Sequence, residues 1–164
     1  GNFEQKITNH EAVNLCDLCL TVAQTLEQQF NLPSKFNVDI PADAAIMADT
    51  YTLQNALLQT MGNAARFSEP ESRVQVKLRA LDNGVELKIV DSGIGILAEE
   101  QARLFEPFFR GSNIGEKSGL GLGLTIARSA IEAHGGTLNI ESAVGKGTTV
   151  YIWLPTDHSI ESSV

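Results

Sequence analysis

Between residues 73 and 91, apolar side chains occupy alternate positions: Val74, Val76 and Leu78 before Asn83-Gly84, and Val85, Leu87 and Ile89 after it. Period-two alternation collects such residues on one face of an extended strand, and Asn-Gly is a favoured two-residue turn. The stretch therefore predicts an antiparallel hairpin with one buried face. TLNIES (137–142), the turn VGKG and TTVYIWLP (148–155) predict a second hairpin. A sheet with an apolar face needs a cover. Leu18, Val22, Leu26 and Phe30 recur at i, i+4 in a helix predicted over 17–30. A second helix, capped by Thr50 or Thr52, ends near Phe67 ahead of Pro70, and a third over 122–133 ends at His134-Gly135-Gly136. Short strands are expected at 12–15, 35–40 and 45–49, and a short helix near 98–105. The sum is an α+β two-layer sandwich, a mixed and mostly antiparallel sheet covered on one face by three helices.

At 164 residues the chain suits one compact domain. Residues 12–155 are expected to form it, with 1–11 as a lead-in and 156–164 as a frayed tail. The opening GNFEQKIT has neither initiator Met nor signal-peptide pattern, so a piece of a longer polypeptide is expected, with Gly1 as a cloning remnant. A formal charge of −8 opposes general attraction to nucleic acid or anionic lipid, and no apolar run approaches a membrane span. Cys16 and Cys19 form a C-x-x-C spacing without a second pair, and i, i+3 positions share a helix face. Buried reduced thiols, suited to the cytoplasm, are expected rather than a zinc or redox site.

Four segments carry candidate chemistry. On the second helix Asn55, Gln59, Asn63, Arg66 and Phe67 fall on one side, opposite Leu53, Leu57, Met61 and Ala64. A solvated face explains the polar side, but Asn is a poor helix former, and its amide oxygen suits a hard cation such as magnesium. Asp91-Ser92-Gly93-Ile94-Gly95 follows a strand directly; it reads either as a tight turn or as a carboxylate that accepts from an exocyclic amine such as that of adenine. Gly119-Leu120-Gly121-Leu122-Gly123 opens a helix and reads equally as a hinge or as backbone N–H groups aimed at phosphate. By itself Gly145-Lys146-Gly147-Thr148 is a hairpin turn. The stretch between the second and third of these, within 92–123, is too long for a routine connector, and such segments usually close over a ligand.

Taken in order, these segments resemble the histidine kinase members of the family that also holds DNA gyrase, the heat-shock chaperone of ninety kilodaltons and the mismatch-repair ATPase. Residues 63–67 (NAARF) resemble the N box, and 91–95, 119–123 and 145–148 resemble the glycine boxes. Phe105-Glu106-Pro107-Phe108-Phe109-Arg110 resembles the phenylalanine box that marks the kinases, and Ala133-His134-Gly135-Gly136 sits where these kinases carry a similar segment. The resemblance spans about residues 12–155 and implies a Bergerat-type fold that binds ATP and Mg2+. It implies Asn63 as magnesium ligand, with Gln59 as a second candidate, Arg66 on phosphate and Phe67 along the adenine. Asp91 would read the base, with Gly93 and Gly95 letting it lie against the backbone. Arg110, Gly119, Leu120, Gly121, Leu122 and Gly123 would belong to a lid over about 96–123, and Thr148 would complete the ATP site. Two departures stand out: the family often has Asn at Gln59 and an acidic residue or Gln at Asn55, and Ser or Thr at Leu120.

The phosphoacceptor histidine of these kinases is followed by Glu or Asp and soon by proline. His10 precedes Glu11 but no nearby proline, His134 ends a helix, and His158 lies in the tail. The resemblance thus implies a monomeric fragment that holds ATP for a histidine on a separate dimerisation domain of a homodimeric, inner-membrane-anchored parent, with a response regulator as next partner. A related ATPase and an anti-sigma-like serine kinase are the alternatives, and the phenylalanine box speaks against both.

Overall fold

The computed structural model describes residues 9–93 and 120–156, with backbone only for 120–122. The elements run β1 (Glu11–Asn14), α1 (Leu15–Gln29), β2 (Phe36–Asp39), β3 (Ala45–Ala48), α2 (Thr50–Phe67), β4 (Val74–Leu81), β5 (Gly84–Asp91), α3 (Leu120–Ala133), β6 (Thr137–Ala143) and β7 (Gly147–Pro155). A five-stranded sheet has the order β2-β4-β5-β7-β6, in which only β2-β4 is parallel. The short β1 and β3 stand apart as an antiparallel pair, so the strands do not all join one sheet. The expected helix at 98–105 and the tail from 157 lie outside the described residues.

Alternation sorts the sheet's faces as the sequence requires. Val74, Val76, Val85, Leu87, Ile89, Val150, Ile152 and Leu154 are buried towards the helices. The opposite face carries Lys77, Arg79, Glu86, Lys88 and Tyr151, with Arg79 paired to Glu86 at 3.0 Å and the Lys88 ammonium 5.5 Å from the Tyr151 ring centre. From above, α1 contributes Leu18, Val22 and Leu26, α2 contributes Leu53, Leu57 and Met61, and α3 contributes Leu124, Ala127 and Ile131. Truncating a fully buried leucine such as Leu57 costs about 2–5 kcal/mol at such a site. Cys19 is fully buried and Cys16 partly so; both are free, and burial pushes the Cys19 thiol up to about 12. Among the described residues no cluster of metal-ligating side chains forms around them.

Three of the boundaries that differ from the sequence expectation have a local reason. Leu15 belongs to α1 and not to a strand, because the Asn14 side chain accepts the Asp17 N–H at 2.8 Å and starts the helix. Asp49, not Thr50 or Thr52, caps α2 by accepting the Thr52 N–H at 3.0 Å. The β4-β5 loop is Asp82-Asn83, one residue earlier than Asn83-Gly84, since Leu81 pairs with Gly84. Gly84 is instead the first residue of β5, where a Cβ would come within 2.6 Å of the Trp153 indole nitrogen.

His134 ties two helix ends together. Its Nδ1 donates to the Ala130 carbonyl at 2.8 Å, and its Nε2 accepts the Asp49 N–H at 3.0 Å. This pair of bonds selects the neutral tautomer protonated at Nδ1. The helix-terminal contact expected of His134 is therefore present, and a second bond to the α2 cap is added to it.

Candidate nucleotide site

The sheet and helices bring the C-terminal ends of α2 and β5, the start of β7 and the first turn of α3 together. Asp91 closes β5 in register with Thr148 of β7. It alternates with Val85, Leu87 and Ile89, so its carboxylate points to the helix side and is buried at 8% exposure. Burial raises its pKa to about 6, against the pull of the Thr148 and Gly93 N–H groups, whose hydrogen bonds it accepts, and of the Lys35 charge. A carboxylate kept dry at such cost suits a partner that donates to it.

Close backbone approach surrounds this group. Gly93 bridges Ser68 beyond the end of α2, and a Cβ on Gly93 would overlap the Phe67 carbonyl and approach Asp91 Oδ1 to 2.8 Å. Gly147, at φ +89°, lies against the Asp91 carbonyl, and a Cβ there would reach 2.9 Å from Ser92 Cα. The 145–148 segment forms the expected hairpin turn, and it brings the Thr148 N–H to Asp91. On the other side of β5's end, a cavity of about 510 Å³ takes in Asp91, Ser92, Lys146 and Thr148.

The polar side of α2 is half-buried rather than solvated at Asn55, Gln59 and Asn63. The Asn63 Nδ2 is buried without a hydrogen-bond partner among the described residues. Gly123 in the first turn of α3 faces this patch: a Cβ there would come within 2.5 Å of Gln59 Oε1 and 4.0 Å of Asn63 Nδ2. α3 begins at Leu120, so Leu120, Gly121 and Leu122 are helical and not a loop before the helix. The orphaned atom is a nitrogen, a donor, so it fits a missing acceptor such as a phosphate oxygen, while the amide oxygens of Asn63 and Gln59 are the atoms a cation could use. The donor set is of hard amide oxygens, as magnesium prefers, although no carboxylate cluster is present among the described residues.

Arg66 is exposed at the end of α2, its guanidinium carbon 5.8 Å from the Phe30 ring centre. Phe67, half-buried, lines a cavity of about 450 Å³ with Phe30, Lys35 and Pro70. The structure thus gathers Asn63, Gln59 and Gly123 in one patch, and Phe67, Asp91, Gly93 and Thr148 in another beside it. Gly95, Arg110, Gly119, the phenylalanine box and lid residues 96–119 lie outside the described residues. Sequence reasoning passed over two residues at this site. Gly147 carried a signal, since it lies in the third glycine box. Lys35, whose field reaches Asp91, carried none, because a lysine ahead of a strand is ordinary.

Comparison with known proteins identifies the family. The model of the family described as histidine kinase-, DNA gyrase B-, and HSP90-like ATPase matches residues 48–158. The circadian input-output histidine kinase CikA of Synechococcus elongatus is 36% identical over 116 residues, 70% of this chain and 15% of its own. Sensor-like histidine kinase SenX3 of Mycobacterium tuberculosis is 34% identical over 127 residues, 76% of this chain and 31% of its own. The first curated relatives are thus matched over 15% to 38% of their length. A solved mycobacterial sensor histidine kinase, MprB, superposes with a TM-score of 0.78 at 32% identity, covering 90% of this chain and 97% of that one.

Proposed function

Since the chain belongs to the histidine kinase-, DNA gyrase B-, and HSP90-like ATPase family, we propose that it is the ATP-binding catalytic domain of a sensor histidine kinase. It presents Mg-ATP so that the γ-phosphoryl passes to a histidine on a separate dimerisation domain, and from there to an aspartate of a response regulator. The observation that carries the nucleotide reading is Asp91, a buried carboxylate held by the Thr148 and Gly93 N–H groups at the end of β5. The kinase assignment rests on the identified relatives, each a histidine kinase over a matching stretch. Cytoplasmic placement follows from the reaction, which draws on cellular ATP.

Within this reading Asp91 accepts from the adenine amine, Gly93 lets the base lie flat on the backbone, and Phe67 bounds it. The amide oxygens of Asn63 and Gln59 would hold magnesium, which would supply neutralisation of phosphate charge. Asn63 and Gln59 would hold the ion jointly with the nucleotide's phosphates. Arg66 contributes charge at the rim, and the α3 N-terminus contributes N–H groups. Positioning and charge neutralisation are what phosphoryl transfer asks of a protein.

Calorimetry with ADP and ATP, with and without magnesium, tests the site. Binding that strengthens with magnesium is expected, and no affinity for either nucleotide would sink the reading. Phosphate release decides between kinase domain and ATPase: this chain alone should retain ATP, and steady release would favour a hydrolase.

A further inference from the structure

Lys35 is 4% exposed, among the most buried charged side chains described. It stands just ahead of β2, and its carbonyl accepts the Val74 N–H at 2.8 Å. Its ammonium crosses to the segment after α2 and donates to the Glu69 carbonyl at 2.9 Å and the Ser72 carbonyl at 2.8 Å. That segment holds the base pocket's floor: the Glu69 N–H donates to the Ser92 carbonyl at 2.9 Å, and Ser68 bridges Gly93. A lysine used merely to satisfy two turn carbonyls gains little from being dried, since water does the same for an exposed turn. Burial lowers its pKa, yet Asp91 opposes that fall and Lys35 in turn draws the Asp91 pKa down. Other charges on elements around Asp91 are Arg66, Glu69, Glu141 and Lys146, and the Lys35 charge is one that pulls its pKa down.

We propose that Lys35 is a positioning residue for base recognition, clamping the 69–72 turn so that Ser92 and Gly93 stay seated beside Asp91, and serving as the counter-charge of that carboxylate. This rests on the reading of Asp91 as the group that accepts from the base. Neither role touches the nucleotide directly. The clamp fixes geometry, and the charge fixes how much of Asp91 is ionised near neutrality.

The two roles separate in a pH series. ADP affinity of the full chain, measured by calorimetry from pH 5 to 8, should fall in the wild type as pH drops through about 6, where Asp91 takes up its proton. Lys35→Met should move that midpoint upward, so the affinity lost relative to wild type should be greatest at and below pH 6 and should narrow towards pH 8. Lys35→Gln, which keeps a donor for one carbonyl without the charge, should show the same midpoint and serves if the Met variant does not fold. A folded variant with the wild-type midpoint overturns the proposal, even if its affinity is lower by a constant factor at every pH. If the wild type binds no ADP, the base reading fails and this proposal fails with it.

Discussion

Replacing Asp91 by asparagine should make the protein more stable and less able to bind nucleotide. Burial lifts the carboxyl from the ordinary 3.8 to about 6, so at pH 7.5 the fold carries a charge it would rather not hold. At about 1.4 kcal/mol per pH unit, that rise is a ceiling of about 3 kcal/mol. The asparagine oxygen can still accept from Thr148 and Gly93, but its amino group needs a partner of its own, so a gain of about 1–2 kcal/mol is expected. For a domain of this size that is about 2–8 °C in Tm. The sign follows from proton counting. A folded pKa above the unfolded one means that the folded state binds more protons between pH 3.8 and about 6, so wild-type stability rises as pH falls through that window. Denaturant unfolding at pH 7.5 and pH 4.5 reads both effects: Asp91→Asn should be the more stable protein at pH 7.5, with the margin shrinking at pH 4.5. ADP affinity should move the other way and be lost in the variant. An Asp91→Asn protein less stable than wild type at pH 7.5 would show that the carboxylate holds the fold together and is not kept for a ligand.

Other substitutions sort close-packing glycines and amides by role. Gly93→Ala should cost about 2 kcal/mol or more in chemical denaturation and remove ADP binding, because its Cβ meets the Phe67 backbone, which cannot step aside. Gly123→Ala meets only the end of the Gln59 side chain, so unfolding should shift by less than about 1 kcal/mol while magnesium-dependent affinity falls. Asn63→Ala removes an amide whose nitrogen has no partner, and thermal melts should show little change while calorimetry loses its magnesium dependence. His134→Ala strands the buried Asp49 N–H and the Ala130 carbonyl and should destabilise by about 1–3 kcal/mol with ADP affinity unchanged. A large affinity loss there would mean that the α2–α3 brace reaches the site.

What the sequence made legible was periodic, and what it hid was tertiary. The stripes at Leu18, Val22, Leu26 and at Val85, Leu87, Ile89 report local geometry, because a helix or a strand repeats side-chain direction at a fixed interval. The layers, the strand pairs and the polar side of α2 all follow from them. Asn83-Gly84 misled because two demands compete for one glycine: a turn wants its backbone freedom, and Trp153 wants its lack of a side chain, and the second prevails. The two-strand sheet of β1 and β3 left no periodic trace at 4 residues each.

The site divides along the same line. Asp91 and Gly93 could be found because a carboxylate and a glycine after a strand form a compact local pattern. Lys35 lies 56 positions before Asp91 and is brought near it by the parallel pairing of β2 with β4 and by its bonds to the 69–72 turn, links that no local window contains. Gln59 shows why such long-range facts matter for chemistry. As a departure from the family's usual asparagine it reads as a longer arm reaching for the same cation, and the fold supplies a constraint on that arm: Gly123 of α3 leaves room for its oxygen, where any side chain would push it away. The pair Gln59–Gly123 is therefore expected to act as a unit. Restoring asparagine by Gln59→Asn should shorten the reach, leave a gap against α3 and make Gly123→Ala tolerable, so the double variant should bind Mg-ADP better than Gly123→Ala alone. Additive losses in that cycle would mean that Gly123 serves the phosphates directly and not the amide beside them.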